Sequence, residues 1–171
     1  MKALFIIAQR GFQENEYNIP KKILEDANIE VITASKNGGA CVGSAGGMVK
    51  ESIAIADVLL DHYSAIVLIG GSGAVVYQKD QQVLSLLKQA HINRKILAGI
   101  CIAPTILAYA EVLHGKKVAV WNGDKKQEAI LNEHGAKYTA EEVSVDGRII
   151  TANGPAAAEK FGKKIVEAMD R

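Results

Sequence analysis

The chain has 171 residues, of which 49% are hydrophobic and 23% charged, and its formal net charge is +1. That length and balance suit one domain, residues 1–171, with a full core. They exclude the strongly basic surface that a nucleic-acid partner or an anionic membrane would need. Two cysteines, Cys41 and Cys101, are too few for a disulfide framework or a zinc site, and they fit a reducing compartment.

Strands and helices alternate along the chain. Ala3–Ala8 reads as a strand, too short for a signal peptide and followed at once by Gln9-Arg10. Glu16–Ala27 has helical spacing through Ile19, Ile23, Leu24 and Ala27. Glu30–Ala34 is the next strand. Gly38 to Gly47 holds five glycines and predicts a loop or hairpin, followed by Met48-Val49. Ile53–Leu60 reads as a short helix or turn. Ala65–Ile69 is an apolar strand ending in Gly70-Gly71. A helix over Gln81–Ala90, a strand over Ile96–Ile100 and a helix over Ala103–Leu113 follow. Then come strand Val118–Val120 and helix Lys125–His134. Val143–Val145 and Arg148–Thr151 flank Asp146-Gly147, a two-residue hairpin signal. Ala156–Met169 closes the chain as a helix.

This alternation predicts an α/β fold, a mostly parallel sheet with helices on both faces. Sites in such folds form at the carboxyl ends of the strands, here termed the upper pole. The longest uncharged stretch, Ile96 to Ala110, falls short of the ~20 residues a spanning helix needs and contains Pro104. The expectation is a soluble, cytoplasmic protein without a membrane partner.

Cys101 stands at the abrupt end of one strand, just before a helix whose first turn holds Pro104. This is a nucleophile-elbow arrangement with a thiol in place of a hydroxyl. A thiol at a helix start is expected to be acidified by the dipole. Gly70-Gly71-Ser72-Gly73 ends another strand. It is neither a dinucleotide fingerprint, since Val76 stands where a third glycine belongs, nor a Walker loop. The pair can present a backbone N–H to an oxyanion, and the N–H of Ile102 would be the second donor. The loop Gln9 to Asn15 brings Glu14 and Glu16 to the same pole. The four histidines, His62, His91, His114 and His134, all map to the lower pole. His114 lies ~15 Å down its helix from Cys101. No ligand cluster for a metal forms, and no cofactor is expected. An acid is left as the partner of Cys101, and the residues themselves do not choose between Glu14 and Glu16. A carboxyl buried beside a thiolate would hold its proton and donate a hydrogen bond to the sulfur, keeping it anionic.

The segments Glu16-Tyr-Asn-Ile-Pro20, Ile66-Val-Leu-Ile-Gly70-Gly71, Ala98-Gly-Ile-Cys101-Ile-Ala-Pro104 and Asp146-Gly147 through Asn153-Gly154-Pro155 together resemble the ThiJ/PfpI family. The likeness runs from Lys2 to about Met169. It implies a flavodoxin-like three-layer α/β/α sandwich with a C-terminal hairpin, and a homodimer or higher homo-oligomer. It implies Cys101 as nucleophile and singles out Glu16 as its partner, four residues before Pro20. The oxyanion donors would be Gly71 and Ile102, and Gly70, Trp121 and Pro155 would line the pocket. The family's protease branch carries histidine where this chain has Ile102, and its deglycase branch where this chain has Trp121. The expected function is a cysteine-dependent hydrolase or lyase of reactive carbonyls, with a carbonyl compound or an oxidant as small-molecule partner and negligible peptidase activity. The alternative is a non-catalytic redox sensor or stress-protection protein using an oxidisable Cys101.

Overall fold

The computed structural model describes residues 1–171. The strands are β1 (Lys2–Ile6), β2 (Arg10–Phe12), β3 (Glu30–Ser35), β4 (Cys41–Gly43), β5 (Met48–Val49), β6 (Ile53–Ala54), β7 (Ala65–Leu68), β8 (Ile96–Ile100), β9 (Lys117–Ala119), β10 (Lys137–Thr139), β11 (Val143–Asp146) and β12 (Ile149–Ala152). The α-helices are α1 (Glu14–Asp26), α2 (Gln81–Ile92), α3 (Pro104–Tyr109), α4 (Gln127–Glu133) and α5 (Ala158–Met169). The central sheet has seven strands in the order β11-β12-β8-β7-β1-β3-β6. All its pairs are parallel except β11–β12, the C-terminal hairpin. The expected α/β class is therefore observed, and no helix is long and apolar enough to cross a membrane.

The inner strands are apolar throughout because both faces are covered. Leu4 and Ile6 of β1 and Ile66 and Leu68 of β7 enter one core, with Val83 and Leu87 of α2 and Ile106 of α3. Their neighbours Ala3, Phe5, Ala65 and Val67 enter the other, with Leu24 of α1 and Phe161 and Ile165 of α5. Each of these buried valine, leucine, isoleucine or phenylalanine side chains stabilises the fold by about 1.5–3 kcal/mol. The helices α1 and α5 pack closely, since a Cβ on Gly162 would come 3.0 Å from Pro20 Cα.

Several boundaries differ from the sequence reading, for local reasons. Helix α1 starts at Glu14, because the Gln13 side chain caps it by accepting the Glu16 N–H at 2.7 Å. Ile53–Leu60 opens as strand β6 and continues as a 3₁₀ turn, Ile55–Asp57. Helix α3 ends at Tyr109, not Leu113, because Glu111 turns the chain at φ 59. The stretch after Gly71, Ser72–Lys79, is a 3₁₀ helix. The glycine-rich segment is a β4–β5 hairpin, and β4 pairs with the short strand β2 in a second sheet. Both β2 and β4 hold only three residues, too few for a periodic signal.

Candidate active site

Three crossings of the chain meet at the carboxyl ends of β1, β7 and β8. Cys101 follows β8 directly at φ 63, a left-handed conformation unusual for a side-chain-bearing residue. Its backbone is held on both sides: its N–H donates to the Ala152 carbonyl and its carbonyl accepts from Trp121 N–H, each at 2.9 Å. Strain of this kind persists only where neighbours fix it. Helix α3 begins three residues later, at Pro104.

Glu16 is completely buried in the first turn of α1. Its Oε2 accepts the Gly70 N–H at 2.9 Å, and its Oε1 has no hydrogen-bond partner. Glycine is required at 70, because a Cβ there would lie 2.5 Å from Glu16 Oε2 and 2.7 Å from Cys101 Cβ. At Gly71 (φ 105) a Cβ would run into the Gly11 carbonyl, so the glycine pair seats the β2 loop against the strand end. The Gln13 N–H closes this corner by donating to the Gly70 carbonyl at 3.0 Å.

The electrostatics follow from burial. Burial raises the Glu16 carboxyl from 4.5 to about 7, against the pull of Cys101 and the Gly70 N–H. Burial also pushes the Cys101 thiol up to about 12, helped by the charge and contact of Glu16 and opposed by the N–H groups of Ile102 and Gly71. The expected acidification by a helix dipole is thus corrected. The helix has only six residues and starts beyond the thiol, and desolvation outweighs it. The two groups are coupled: at neutral pH the thiol keeps its proton while the carboxyl exchanges its own. With Oε1 unpartnered, their contact is looser than a hydrogen bond, as is common before substrate binds.

The structure brings Cys101, Glu16, Gly70, Gly71 and Ile102 together. Trp121 joins them through its backbone, while its side chain lies across Gly123 and is 39% exposed, more open than a packing tryptophan. Pro155 is exposed and opens the turn after β12. Cavities of about 350–520 Å³ lie elsewhere, and none of them is lined by Cys101, Gly70, Trp121 or Pro155. Glu14 turns away from the thiol and accepts the N–H groups of Ala45 and Gly47 at 2.8 and 3.0 Å. The histidines stay at the lower pole: His134 packs edge-on against Tyr109, and His114 against Gly135. No group of three or more His, Cys, Asp or Glu is placed to hold a metal ion. Sequence reasoning missed Gln13 and Gly11. The signal for Gln13 was its spacing, three residues before Glu16, as a capping residue requires. Gly11 carried none.

The fold and this corner define a flavodoxin-like α/β protein with a thiol on a strained elbow beside a buried acid. The DJ-1/PfpI family profile matches residues 1–168, and the chain belongs to that family. An uncharacterized protein of Methanocaldococcus jannaschii is 34% identical over 99% of this chain and 83% of its own length. A deglycase of Pyrococcus horikoshii is 29% identical over 99% of both chains. The crystal structure of a ThiJ/PfpI domain protein from Brachyspira murdochii superposes with a TM-score of 0.93 at 30% identity, covering 99% of this chain and 96% of that one.

Proposed function

We propose that this protein is a cysteine-dependent enzyme acting on reactive carbonyls, glyoxalase- or deglycase-like, with a Cys–Glu pair and no catalytic histidine. The deglycase relative supports the class of activity. The observation that carries the pair is the Glu16 carboxyl, wholly buried, with one oxygen held by Gly70 N–H and the other unpartnered beside Cys101. A carboxyl titrating near 7 can both take and give a proton at neutral pH.

With a 2-oxoaldehyde, Glu16 takes the thiol proton as the sulfur bonds to the aldehyde carbon. The C=O electron pair moves to oxygen, where the N–H groups of Gly71 and Ile102 hold the charge until Glu16 returns the proton. The carboxylate then removes the hydrogen from that carbon and delivers it to the neighbouring carbonyl carbon through an enediol, while the hydroxyl proton passes from the first oxygen to the second, so the first carbon regains its C=O and the second carries the hydroxyl. A thioester results. Water cleaves it, giving the 2-hydroxy acid and the free thiol, so one water is consumed and no external oxidant is needed.

A second reading, redox sensing through Cys101 without turnover, is favoured by the lack of any histidine at the upper pole. The two are separated by incubating the protein with methylglyoxal. Lactate accumulating beyond one per chain, and lost in Cys101→Ser, supports the enzyme. A single adduct per chain supports the sensor.

A further inference from the structure

The N–H groups of Gly71 and Ile102 both bear on the Cys101 thiol, yet they belong to segments far apart in sequence. Gly71 leads into the 3₁₀ helix Ser72–Lys79, and Ile102 leads into α3. One buried side chain joins the two segments. The hydroxyl of Thr105, completely buried, donates to the Ile102 carbonyl at 2.6 Å. The same oxygen accepts the Gln78 side-chain N–H at 2.8 Å, and Gln78 lies in the 3₁₀ helix. The Thr105 N–H also donates to the Ile102 carbonyl, at 3.1 Å. The hydroxyl therefore acts once as donor and once as acceptor. A buried threonine hydroxyl could satisfy itself on its own helix alone. Here it is shared with a second segment, the one that begins at the other donor.

We propose that Thr105 is a positioning residue: the bridge from Gln78 through Thr105 to the Ile102 carbonyl fixes the spacing of the two N–H donors around the sulfur. This deepens the proposed function, since it rests on Cys101 being the reacting atom. Thr105 touches neither sulfur nor substrate and acts only through Ile102. Valine at 105 keeps the shape but loses both hydrogen bonds. Serine keeps both. A half-buried amide at 78 would be left without its acceptor in the valine variant, which adds to the loosening.

The test reads the thiol by iodoacetamide alkylation of Cys101 across pH, so it needs no turnover and stays informative if the carbonyl substrate is wrong. In Thr105→Val the alkylation midpoint rises, and at a fixed pH below it the rate falls about two- to four-fold, the size expected for one lost hydrogen bond to the Ile102 segment. Thr105→Ser behaves as wild type. Gln78→Leu, which spares the buried helix, shifts the midpoint in the same direction by less, and carries the test if Thr105→Val does not fold. A folded Thr105→Val with reduced melting temperature but an unmoved pH profile would overturn the proposal and leave Thr105 a purely structural residue. So would Thr105→Ser failing to restore the profile, or Gln78→Leu leaving it unmoved.

Discussion

Replacing Glu16 with Gln removes one buried negative charge from beside the Cys101 sulfur with almost no change of volume. The amide oxygen can still accept the Gly70 N–H that now binds Oε2. Burial of the thiol stays, so its pKa should fall from about 12 without reaching that of an exposed cysteine. At a separation of ~4 Å a unit charge is worth about 1 kcal/mol in water and about 4 kcal/mol at an effective dielectric of about 20. The alkylation midpoint therefore moves down by about 0.7–3 pH units. A less basic thiolate is also a weaker nucleophile, with a Brønsted slope of about 0.4–0.5. At mildly alkaline pH the net gain in iodoacetamide rate is thus about 2- to 40-fold. Cys41 is fully buried, and a Cys41→Ser background leaves one reporting thiol. The sign discriminates. A protonated Glu16 donating to a thiolate, as the sequence alone suggests, would make Glu16→Leu, which has no donor, slower, not faster. A rate unchanged or lowered would refute the charge coupling drawn here.

The same carboxyl links stability to pH. Its folded-state value of about 7 lies above the ordinary 4.5, so its contribution is fully present below 4.5 and is lost as pH rises through 7. The loss is about 3 kcal/mol. Urea unfolding at acidic and alkaline pH should show that loss in wild type and not in Glu16→Gln; parallel curves would contradict it. Gly70→Ala forces a methyl between Glu16 Oε2 and Cys101 Cβ. It should cost about 1–3 kcal/mol in urea unfolding, as overpacking does, and should disturb the alkylation profile. Trp121→His keeps the backbone bond to the Cys101 carbonyl and adds an imidazole that titrates near ~6.5. Methylglyoxal turnover should rise, and a folded variant with no gain would mean that a missing base is not limiting.

Much of this was legible because the apolar runs of β1, β7 and β8 are buried on both faces and carry their own signal. The pole of each candidate followed from strand direction alone. Cys101 and the glycine pair were found because both sit where strands end. The choice of Glu16 over Glu14 needed the resemblance, since the two acids occupy the same helical turn and only their directions differ. The early end of α3 was not legible, because nothing in the Tyr109-Ala-Glu111 composition announces a left-handed residue. The thiol's direction of titration was misread because desolvation depends on tertiary packing, whereas the dipole argument uses only local sequence. The Thr105–Gln78 contact spans 27 residues and leaves no periodic trace.

The most direct test of the Cys–Glu account counts lactate formed from methylglyoxal per chain, in wild type, Cys101→Ser and Glu16→Gln prepared side by side. The account predicts many lactates per chain in wild type, none above background in Cys101→Ser, and no more than a single adduct per chain in Glu16→Gln. That last variant has a more reactive thiol but no group to move the proton between the two carbons. Wild type stopping at one adduct, or Glu16→Gln turning over as fast as wild type, would contradict it.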